Sequence, residues 1–399
     1  MSNRLGVYTD DVYRLVEDDS GTRISSDRAF LLFAHQVGLH FDEFVVFGRG
    51  ARSDEDADYV LPPGIGLVSL PHYESLRRLL QVARSGIGTA RTMWSGLESV
   101  DTVWVFGPHP FGYLLIALAR LRGKRIALGE RQDTWHYHTT RLQGRRWLPV
   151  LGAVRLADGF HRLLARRLPT TVVGRTLAER YGLDRSTVLP ITVSLVPERE
   201  LAKEPTVRDL SEGVRLLTIG RIDVEKNPLL VVDVLAELER RRPDRFSLTW
   251  IGRGPLEDEV RARAESLGVG DRLTLRGYVP FGPELLHLYR DADLFLHVSW
   301  TEGVPQVLVE ALACGTPVVA TAVGGVASAL DGGKAGLLVP PGDAVALADA
   351  IEKLINDPRL RSQLVSYGRD LVHGVTLEAE GARVAMFLGG AQSARAGSI

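Results

Sequence analysis

The sequence predicts an α/β protein built from two doubly wound, Rossmann-like domains that face each other across a cleft. The chain has 399 residues, more than one hydrophobic core usually supports. Short apolar runs alternate with amphipathic stretches of about 12 to 16 residues, which is typical of a parallel sheet with crossover helices. This alternation stops at a charged, Pro-containing segment and then restarts, which indicates two domains.

The first domain is predicted over residues 1–195. Apolar runs bounded by turn residues predict its strands at Leu5–Thr9, Phe44–Phe47, Gly66–Leu70, Val103–Phe106, Arg125–Leu128 and Thr170–Val173. Residues 196–213 combine Pro and charge without periodicity, so they are predicted to be a linker.

The second domain is predicted over residues 214–372, and residues 373–399 form a C-terminal helix and tail that cross back to the first domain. Its strands are predicted at Arg215–Ile219, Ser247–Ile251, Leu273–Leu275, Leu294–Val298, Pro317–Thr321 and Leu337–Val339. Ligands of open parallel sheets bind at the carboxyl ends of the strands, so the cleft between the domains is the predicted binding site.

Composition excludes several classes of protein. The 48 basic and 49 acidic residues leave a formal charge of -1, so no nucleic acid partner is expected. Cys314 is the sole cysteine, which excludes an intrachain disulfide framework and fits a reducing cytoplasm. The N-terminus, MSNRLGVYTDD, reaches acidic residues before any long apolar stretch, and no run of about 18 apolar residues occurs, so neither a signal peptide nor a membrane span is expected.

A loop with two cations follows the first strand of the second domain. Arg221 and Lys226 lie after Gly220, and Asn227 and Pro228 are the predicted N-cap and first residue of the next helix. Apolar residues at helical spacing predict its buried stripe, namely Leu229, Val232, Leu235 and Leu238. A guanidinium and an ammonium at this end of the sheet would suit a diphosphate. The alternative is a pair of solvated loop cations.

Two glutamates lie at a second predicted helix, Val304–Ala313, which ends at Gly315. Glu302 precedes the helix and Glu310 lies inside it, roughly 12 Å away by helical rise. A diphosphate at the helix N-terminus, near the backbone of residues 303 and 304, would place its attached groups beside these carboxylates. The alternative is that Glu302 caps the helix and Glu310 pairs with a surface arginine.

Four segments of the second domain carry a resemblance to a known family. They are GRIDVEKNP (220–228), WIGRGPLEDEV (250–260), DADLFLHVSWTEGVPQVLVEALACGTPVVAT (291–321) and GLLVPPGD (336–343). In this order they resemble the retaining glycosyltransferases of glycosyltransferase family 4. The resemblance implies a GT-B fold and transfer of a sugar from a nucleotide diphosphate sugar to an acceptor hydroxyl, with retention of the anomeric configuration.

The resemblance also implies roles for individual residues. Arg221 and Lys226 would hold the donor diphosphate, and Glu302 would lie beside the transferred sugar. The remaining donor contacts would come from Glu310 on the ribose, from the backbone of Gly303 and Val304, and from Gly252 and Tyr278 in the nucleotide pocket. The cations and the helix terminus nearly balance the charge of the leaving group, so no metal ion and no cofactor are expected.

The first domain, which would bind the acceptor, departs from the family. It lacks the Gly pair after the first strand, and Arg131 or Gln132 stands near the expected histidine. Candidate contacts to the acceptor or the sugar are His109, Arg131, Asp133 and His136, although a lone histidine in such a loop is often only solvated or structural. The acceptor stays open among lipids, saccharides and small molecules.

Residues 141–169 form a basic amphipathic stretch. Such a stretch would allow peripheral contact with an anionic membrane. The expected location is therefore the cytoplasm or, with this contact, the inner face of the membrane. The alternative is that its apolar face packs on the sheet while its arginines are solvated.

Two other functions remain open on the sequence. One is a non-catalytic GT-B subunit that partners an active enzyme, since the acceptor domain is altered. The other is a nicotinamide-dependent oxidoreductase, since GRGPLE follows a strand, but this segment lacks the third glycine of a dinucleotide loop.

Overall fold

The computed structural model describes residues 3–18, 21–62, 64–73, 79–142, 144–182, 186–202, 208–210 and 213–390. The chain forms two compact units, one of residues 1–193 with 380–399 and one of residues 194–379. The predicted linker, 196–213, falls partly on residues 203–207 and 211–212, which lie outside the described residues. Val196 and Leu201, at its start, pack into the core of the second unit.

The described part of the first unit contains nine strands in one sheet. The strands are β1 Arg4–Asp18, β2 Gly21–Ser26, β3 Glu43–Arg52, β4 Tyr59–Val60, β5 Gly66–Leu70, β6 Thr102–Phe106, β7 Arg125–Glu130, β8 Thr170–Val173 and β9 Val188–Ile191. The helices are α1 Phe30–Gly38, α2 Leu79–Gly96, α3 Pro110–Leu121, α4 Thr134–Arg141, α5 Leu148–Ala165 and α6 Arg175–Tyr181.

The parallel strands of this sheet have the order β5-β3-β1-β6-β7-β8-β9. The order reverses between β1 and β6, so the loops at the carboxyl ends of these two strands diverge and leave a crevice there. Apolar side chains from the strands, such as Phe47, Val105 and Leu128, pack with α2 and α3 in the core of the unit.

Strand β1 differs from the prediction because it continues well beyond Thr9. Its pairing with β3 shifts register between Tyr8 and Val12, so Thr9, Asp10 and Asp11 form a bulge. The second half of β1 then pairs with β2 as an antiparallel hairpin. A bulge re-aims side chains beside the sheet edge, and here it does so at the point where the strand order reverses.

The second unit repeats the architecture with a fully parallel sheet. Its strands are β10 Val214–Ile219, β11 Phe246–Ile251, β12 Leu273–Gly277, β13 Leu294–His297, β14 Val318–Thr321 and β15 Leu337–Val339. Its helices are α7 Pro228–Arg241, α8 Glu257–Ser266, α9 Pro283–Asp291, α10 Gln306–Ala313, α11 Val326–Ala329, α12 Ala344–Asn356, α13 Pro358–His373 and α14 Leu377–Gly390. From Glu380 onward α14 belongs to the first unit.

The six strands have the order β12-β11-β10-β13-β14-β15, that is, 3-2-1-4-5-6 in chain order. This is the doubly wound Rossmann order, with its reversal between β10 and β13. Each strand predicted from the sequence overlaps an observed strand in one of the two units.

Helix α7 shows how the local prediction was partly wrong. Asn227 occupies the N-cap position with φ of 49°, but its side chain makes no capping hydrogen bond. Leu229 is exposed, whereas Leu230 and Val231 are buried with Val232, Leu235 and Leu238. The buried face of the helix is therefore wider than the predicted stripe, and it does not include Leu229.

Candidate active site

The loops after β10 and β13 lie on either side of the strand-order reversal in the second unit. Residues 220–227 connect β10 to α7, and residues 298–305 connect β13 to α10. The backbone N–H of Trp300 donates to the carbonyl of Glu225 at 2.9 Å, which joins the two loops directly. The topology therefore brings together the cations and the carboxylate that the sequence singled out.

Lys226 and Glu302 form an ion pair across these loops. Lys226 Nζ contacts Oε1 of Glu302, whose side chain is only 9% exposed. Ser299 Oγ donates to the same oxygen at 2.7 Å, and His297 Nε2 lies 3.1 Å from it. Burial disfavours the Glu302 anion, but the hydrogen bond from His297 and the charge of Lys226 outweigh it and lower the pKa of Glu302 to about 2.

Arg221 lies on the same loop but has other partners. Its guanidinium contacts Asp223 at 2.7 Å and Glu225 at 2.9 Å, and its side chain is 56% exposed. Asp223 also accepts a hydrogen bond from the backbone N–H of Lys226 at 3.2 Å, which closes the short turn before α7. Arg221 is thus held near Lys226 while its guanidinium remains open to solvent.

Gly252 packs against this loop through its backbone. Its φ is 140°, and an added Cβ would lie 2.0 Å from the carbonyl oxygen of Gly220. No side chain can therefore occupy this position without displacing the loop that carries Arg221 and Lys226. Tyr278, which follows β12, is 49% exposed. Contact of either residue with a nucleotide stays a prediction.

Gly324 and Gly325, which follow β14, pack against the backbone of Glu302 and Gly303. The N–H of Gly325 donates to the carbonyl of Glu302 at 3.2 Å, and an added Cβ at Gly325 would lie 1.8 Å from the carbonyl oxygen of Gly303. In the described part of the chain the N–H groups of Gly303 and Val304 donate to no acceptor. These two amides are therefore available to an anion.

Glu310 is placed differently from the sequence alternatives. Helix α10 begins at Gln306, with Pro305 at the N-cap position, so Glu302 does not cap it. Glu310 is buried and accepts a hydrogen bond from the hydroxyl of Tyr289 at 2.8 Å, so it does not pair with a surface arginine. Burial raises the pKa of Glu310 to about 7, against the hydrogen bond from Tyr289. The helical-rise estimate of 12 Å does not apply, because residues 302–305 are not helical.

In the first unit, the strand-order reversal carries a network around Asp10. The hydroxyl of Tyr73 donates to Asp10 Oδ1 at 2.5 Å, His109 Nε2 lies 3.3 Å from Asp10 Oδ2, and Arg49 Nε lies 3.3 Å from Asp10 Oδ1. Tyr8 contacts His109 Nδ1 at 2.9 Å. A neutral imidazole with its proton on Nε2 satisfies these contacts, and burial lowers the pKa of His109. His109 is thus part of a polar cluster rather than simply solvated.

The other three candidates, Arg131, Asp133 and His136, have partners of their own. Arg131 lies 3.7 Å from Asp11 in the bulge and stacks over the ring of Phe30. Asp133 instead accepts from the backbone N–H of His136 at the start of α4 and pairs with Arg180 of α6. The four candidate residues therefore form three local groups along the carboxyl ends of β6 and β7.

Glu130, the last residue of β7, is buried, whereas Arg131, Gln132 and Asp133, which follow it, are not. Its side chain is buried, and it accepts a hydrogen bond from Tyr181 at 2.8 Å. Burial raises the pKa of Glu130 to about 8. Neighbouring His161, 3.8 Å away, is also buried, and neither of its ring nitrogens has a hydrogen-bond partner in the described structure.

Several residues of these clusters were missed from the sequence. His297 and Ser299 lie within and just after a strand, so they resembled core positions. Asp10 was visible only as part of an acidic run, because its partners Tyr73 and His109 are distant in the chain. The described residues contain no helix that is both long and apolar enough to span a membrane.

Comparisons with known proteins agree with this architecture. Residues 205–371 match the family model of the glycosyl transferases group 1. The D-inositol 3-phosphate glycosyltransferase of Pseudarthrobacter chlorophenolicus is 31% identical over 307 residues, covering 75% of this chain and 69% of the relative. An oxidoreductase function is inconsistent with this likeness.

Two solved structures share the fold. Sucrose-phosphate synthase from Thermosynechococcus elongatus superposes with a TM-score of 0.70 at 18% identity, covering 98% of this chain and 100% of that one. Anabaena HepE, solved in complex with UDP, gives a TM-score of 0.67 at 16% identity, covering 97% and 100%. The predicted GT-B fold class is confirmed. The chain belongs to the glycosyl transferases of group 1 and is a glycosyltransferase.

Proposed function

We propose that this glycosyltransferase moves a sugar from a nucleotide diphosphate sugar to an acceptor hydroxyl, with retention of the anomeric configuration and without a metal ion. The observation that carries the proposal is the contact between Lys226 and Glu302, which are 76 residues apart and meet where the strand order reverses. That position is where open α/β sheets bind nucleotides. HepE, which shares the fold, binds UDP, so uridine is the first nucleoside to test in the donor.

The donor diphosphate is bound by cations and backbone amides. Lys226 turns from Glu302 onto the phosphates, while Arg221 approaches from the exposed side of the loop. The N–H groups of Gly303 and Val304, which have no acceptor within the described structure, bind the phosphate next to the sugar. Two cations and two amides donate to the phosphate oxygens of the leaving group, so the proposed reaction needs no metal ion.

The two glutamates recognise the groups at either end of the diphosphate. Glu302 keeps Oε2 outside its contacts with Lys226, Ser299 and His297, so this oxygen accepts a hydroxyl of the sugar. Glu310 accepts ribose hydroxyls with the oxygen that Tyr289 does not occupy. Tyr278 and Gly252 line the side of the nucleotide.

The transfer step breaks the bond between the anomeric carbon and the phosphate oxygen. The acceptor oxygen bonds to the anomeric carbon on the same face, and the departing phosphate takes the acceptor proton. Lys226 and Arg221 stabilise the charge that develops on the leaving phosphate, so their hydrogen bonds strengthen in the transition state. A covalent intermediate on Glu302 is the less favoured route.

The acceptor is bound by the first unit, at the carboxyl ends of its strands. Asp10, which Tyr73, Arg49 and His109 contact, offers a carboxylate, and Arg131, Asp133 and His136 lie along the same edge. A hydroxyl-bearing compound suits these groups, whether lipid, saccharide or small molecule.

The proposal includes contact with the inner face of a membrane through residues 141–169, by an enzyme located in the cytoplasm. Helix α5 buries Asp158 and His161, while Leu148, Leu156 and Leu163 are 61%, 77% and 51% exposed. The expected packing of its apolar face on the sheet is therefore wrong for these residues. Exposed arginines lie on and next to this helix: Arg155 is within it, Arg145 and Arg146 precede it, and Arg166 and Arg167 follow it.

Anionic lipid is the partner that fits this surface. Apolar side chains on a helix bordered by arginine enter the headgroup region of an anionic bilayer. A second copy of the chain fits less well, because a symmetric contact would bring arginines against arginines.

The direct test is a donor screen with the purified single chain. UDP-, GDP- and ADP-linked sugars are incubated with the enzyme in the presence of a chelator, and release of the nucleoside diphosphate is measured, with the product anomer read by NMR. Release with an intact anomeric configuration supports the proposal. No turnover with any donor supports the non-catalytic subunit, and inversion or strict dependence on an added metal contradicts the mechanism.

A further inference from the structure

The carboxylate of Glu302 receives three donors on one of its two oxygens. Lys226 Nζ, Ser299 Oγ and His297 Nε2 all contact Oε1. No hydrogen bond or ion pair of the described residues reaches Oε2. The arrangement therefore fixes one oxygen and presents the other.

The three donors differ in how firmly they are held. His297 is the last residue of β13, its side chain is 3% exposed, and its ring stacks on Phe295 with an interplanar angle of 18°. The carbonyl of Ser299 accepts a hydrogen bond from Thr321 Oγ1 at 2.9 Å. Lys226, by contrast, reaches Glu302 from a loop with a long side chain that is 21% exposed. Lys226 is the donor that is free to move.

This difference matters for the donor complex. If Lys226 turns onto the diphosphate, Glu302 loses its cation while it remains a nearly buried carboxylate. A buried anion without partners is strongly disfavoured and would either take up a proton or turn away. The two donors that stay on Oε1 prevent both outcomes.

We infer that His297, assisted by Ser299, is a positioning residue that keeps the Glu302 carboxylate oriented toward the transferred sugar while Lys226 binds the diphosphate. This inference rests on the proposed function, because it assigns Lys226 and Glu302 to the two halves of one donor. To donate to Oε1 the imidazole carries its proton on Nε2. The consequence is a site that distinguishes a nucleotide sugar from the bare nucleoside diphosphate.

The test compares His297→Leu with His297→Gln. Leucine fills a similar volume without a donor, whereas glutamine offers an N–H at a similar reach. UDP and UDP-glucose are the probes, or the base and sugar that the donor screen selects. His297→Leu should lower kcat/KM by about 10- to 100-fold, through the loss of a charge-assisted hydrogen bond, and leave the affinity for the nucleoside diphosphate unchanged. His297→Gln should restore most of kcat/KM.

Other outcomes would overturn the inference. Full activity of His297→Leu would show that Glu302 does not need this donor, and equal losses for the leucine and glutamine variants would indicate a purely structural role. If His297→Leu fails to fold, Ser299→Ala, which removes the assisting donor on a loop, should still lower kcat/KM more than diphosphate affinity, and equal loss of both overturns the inference. A wild-type enzyme that binds no nucleotide sugar refutes the proposed function instead, so the two failures are distinguishable.

Discussion

Replacement of Glu130 by glutamine should change stability in a pH-dependent way, whereas replacement of Glu302 should change it by the same amount at weakly acidic and weakly basic pH. Burial raises the pKa of Glu130 from 4.5 to about 8, although the hydrogen bond from Tyr181 opposes this. Burial also disfavours the Glu302 anion, but His297 and Lys226 lower its pKa from 4.5 to about 2. Glutamine keeps the shape of the side chain and cannot ionise, so Glu130→Gln and Glu302→Gln each remove one titration.

The effect of Glu130 on stability falls in the neutral range. Between pH 4.5 and about 8 Glu130 is protonated in the folded chain and ionised in the unfolded chain, so the free energy of unfolding decreases as the pH rises. One pH unit of such a difference corresponds to about 1.4 kcal/mol, so the contribution of Glu130 to the stability of wild type falls by about 3 kcal/mol between about pH 5.5 and pH 8. Glu130→Gln lacks this loss and should gain about 3 kcal/mol on wild type over that window.

Glu302 supplies the matched control. Its stabilisation is complete above pH 4.5 and is lost only as the pH falls toward about 2. Glu302→Gln should therefore reduce the free energy of unfolding by up to about 3 kcal/mol, equally at about pH 5.5 and pH 8.

Urea unfolding at the two pH values, followed by tryptophan fluorescence, measures both effects, since buried tryptophans lie in the first unit (Trp104) and in the second (Trp250). If Glu130→Gln keeps the pH dependence of wild type, Glu130 is ionised in the folded state and the burial argument is refuted. A pH-dependent deficit in Glu302→Gln would refute the account of its low pKa.

Three further predictions concern function. Lys226→Met should weaken binding of a nucleoside diphosphate by about 10- to 100-fold in calorimetry, with a smaller deficit at high salt, and unchanged binding would remove the lysine from the site. Glu302→Ala should lose turnover while it keeps diphosphate affinity, and a fully active variant would contradict its role at the sugar. The double variant Leu156→Glu with Leu163→Glu should lower binding to anionic vesicles by about tenfold or more. The control variant Leu121→Glu, at a residue as exposed as Leu156 (77%), should not lower it. Equal losses in the two variants would argue against the α5 surface.

The fold was predictable from the sequence where apolar runs set the strands. The hairpin of β1 and β2 was missed because Asp10 and Asp11 interrupt the apolar run and read as the start of a loop. A bulge accommodates such residues without ending the strand, and only the pairing with β3 reveals it. The buried face of helix α5 was predicted wrongly for another reason. Its helical period identifies two faces, but it does not show that the face with Asp158 and His161 is the buried one.

The charged residues of the candidate site were predictable from the sequence, but the residues that contact and position them were not. Arg221, Lys226 and Glu302 stand in loops after strands, where a parallel sheet collects ligand-binding residues. His297 lies in the apolar run DLFLHV, so nothing local separates it from a core residue. The burial of Glu310 against Tyr289 depends on the packing of α9 and α10, which no local pattern encodes.

The central claim is that Lys226 and Glu302 hold two parts of one nucleotide sugar, and a crystal structure of the enzyme soaked with its donor tests it most directly. The account predicts Lys226 Nζ hydrogen-bonded to a diphosphate oxygen and Glu302 Oε2 hydrogen-bonded to a hydroxyl of the sugar. A donor bound elsewhere, with the pair between Lys226 and Glu302 intact, would contradict it.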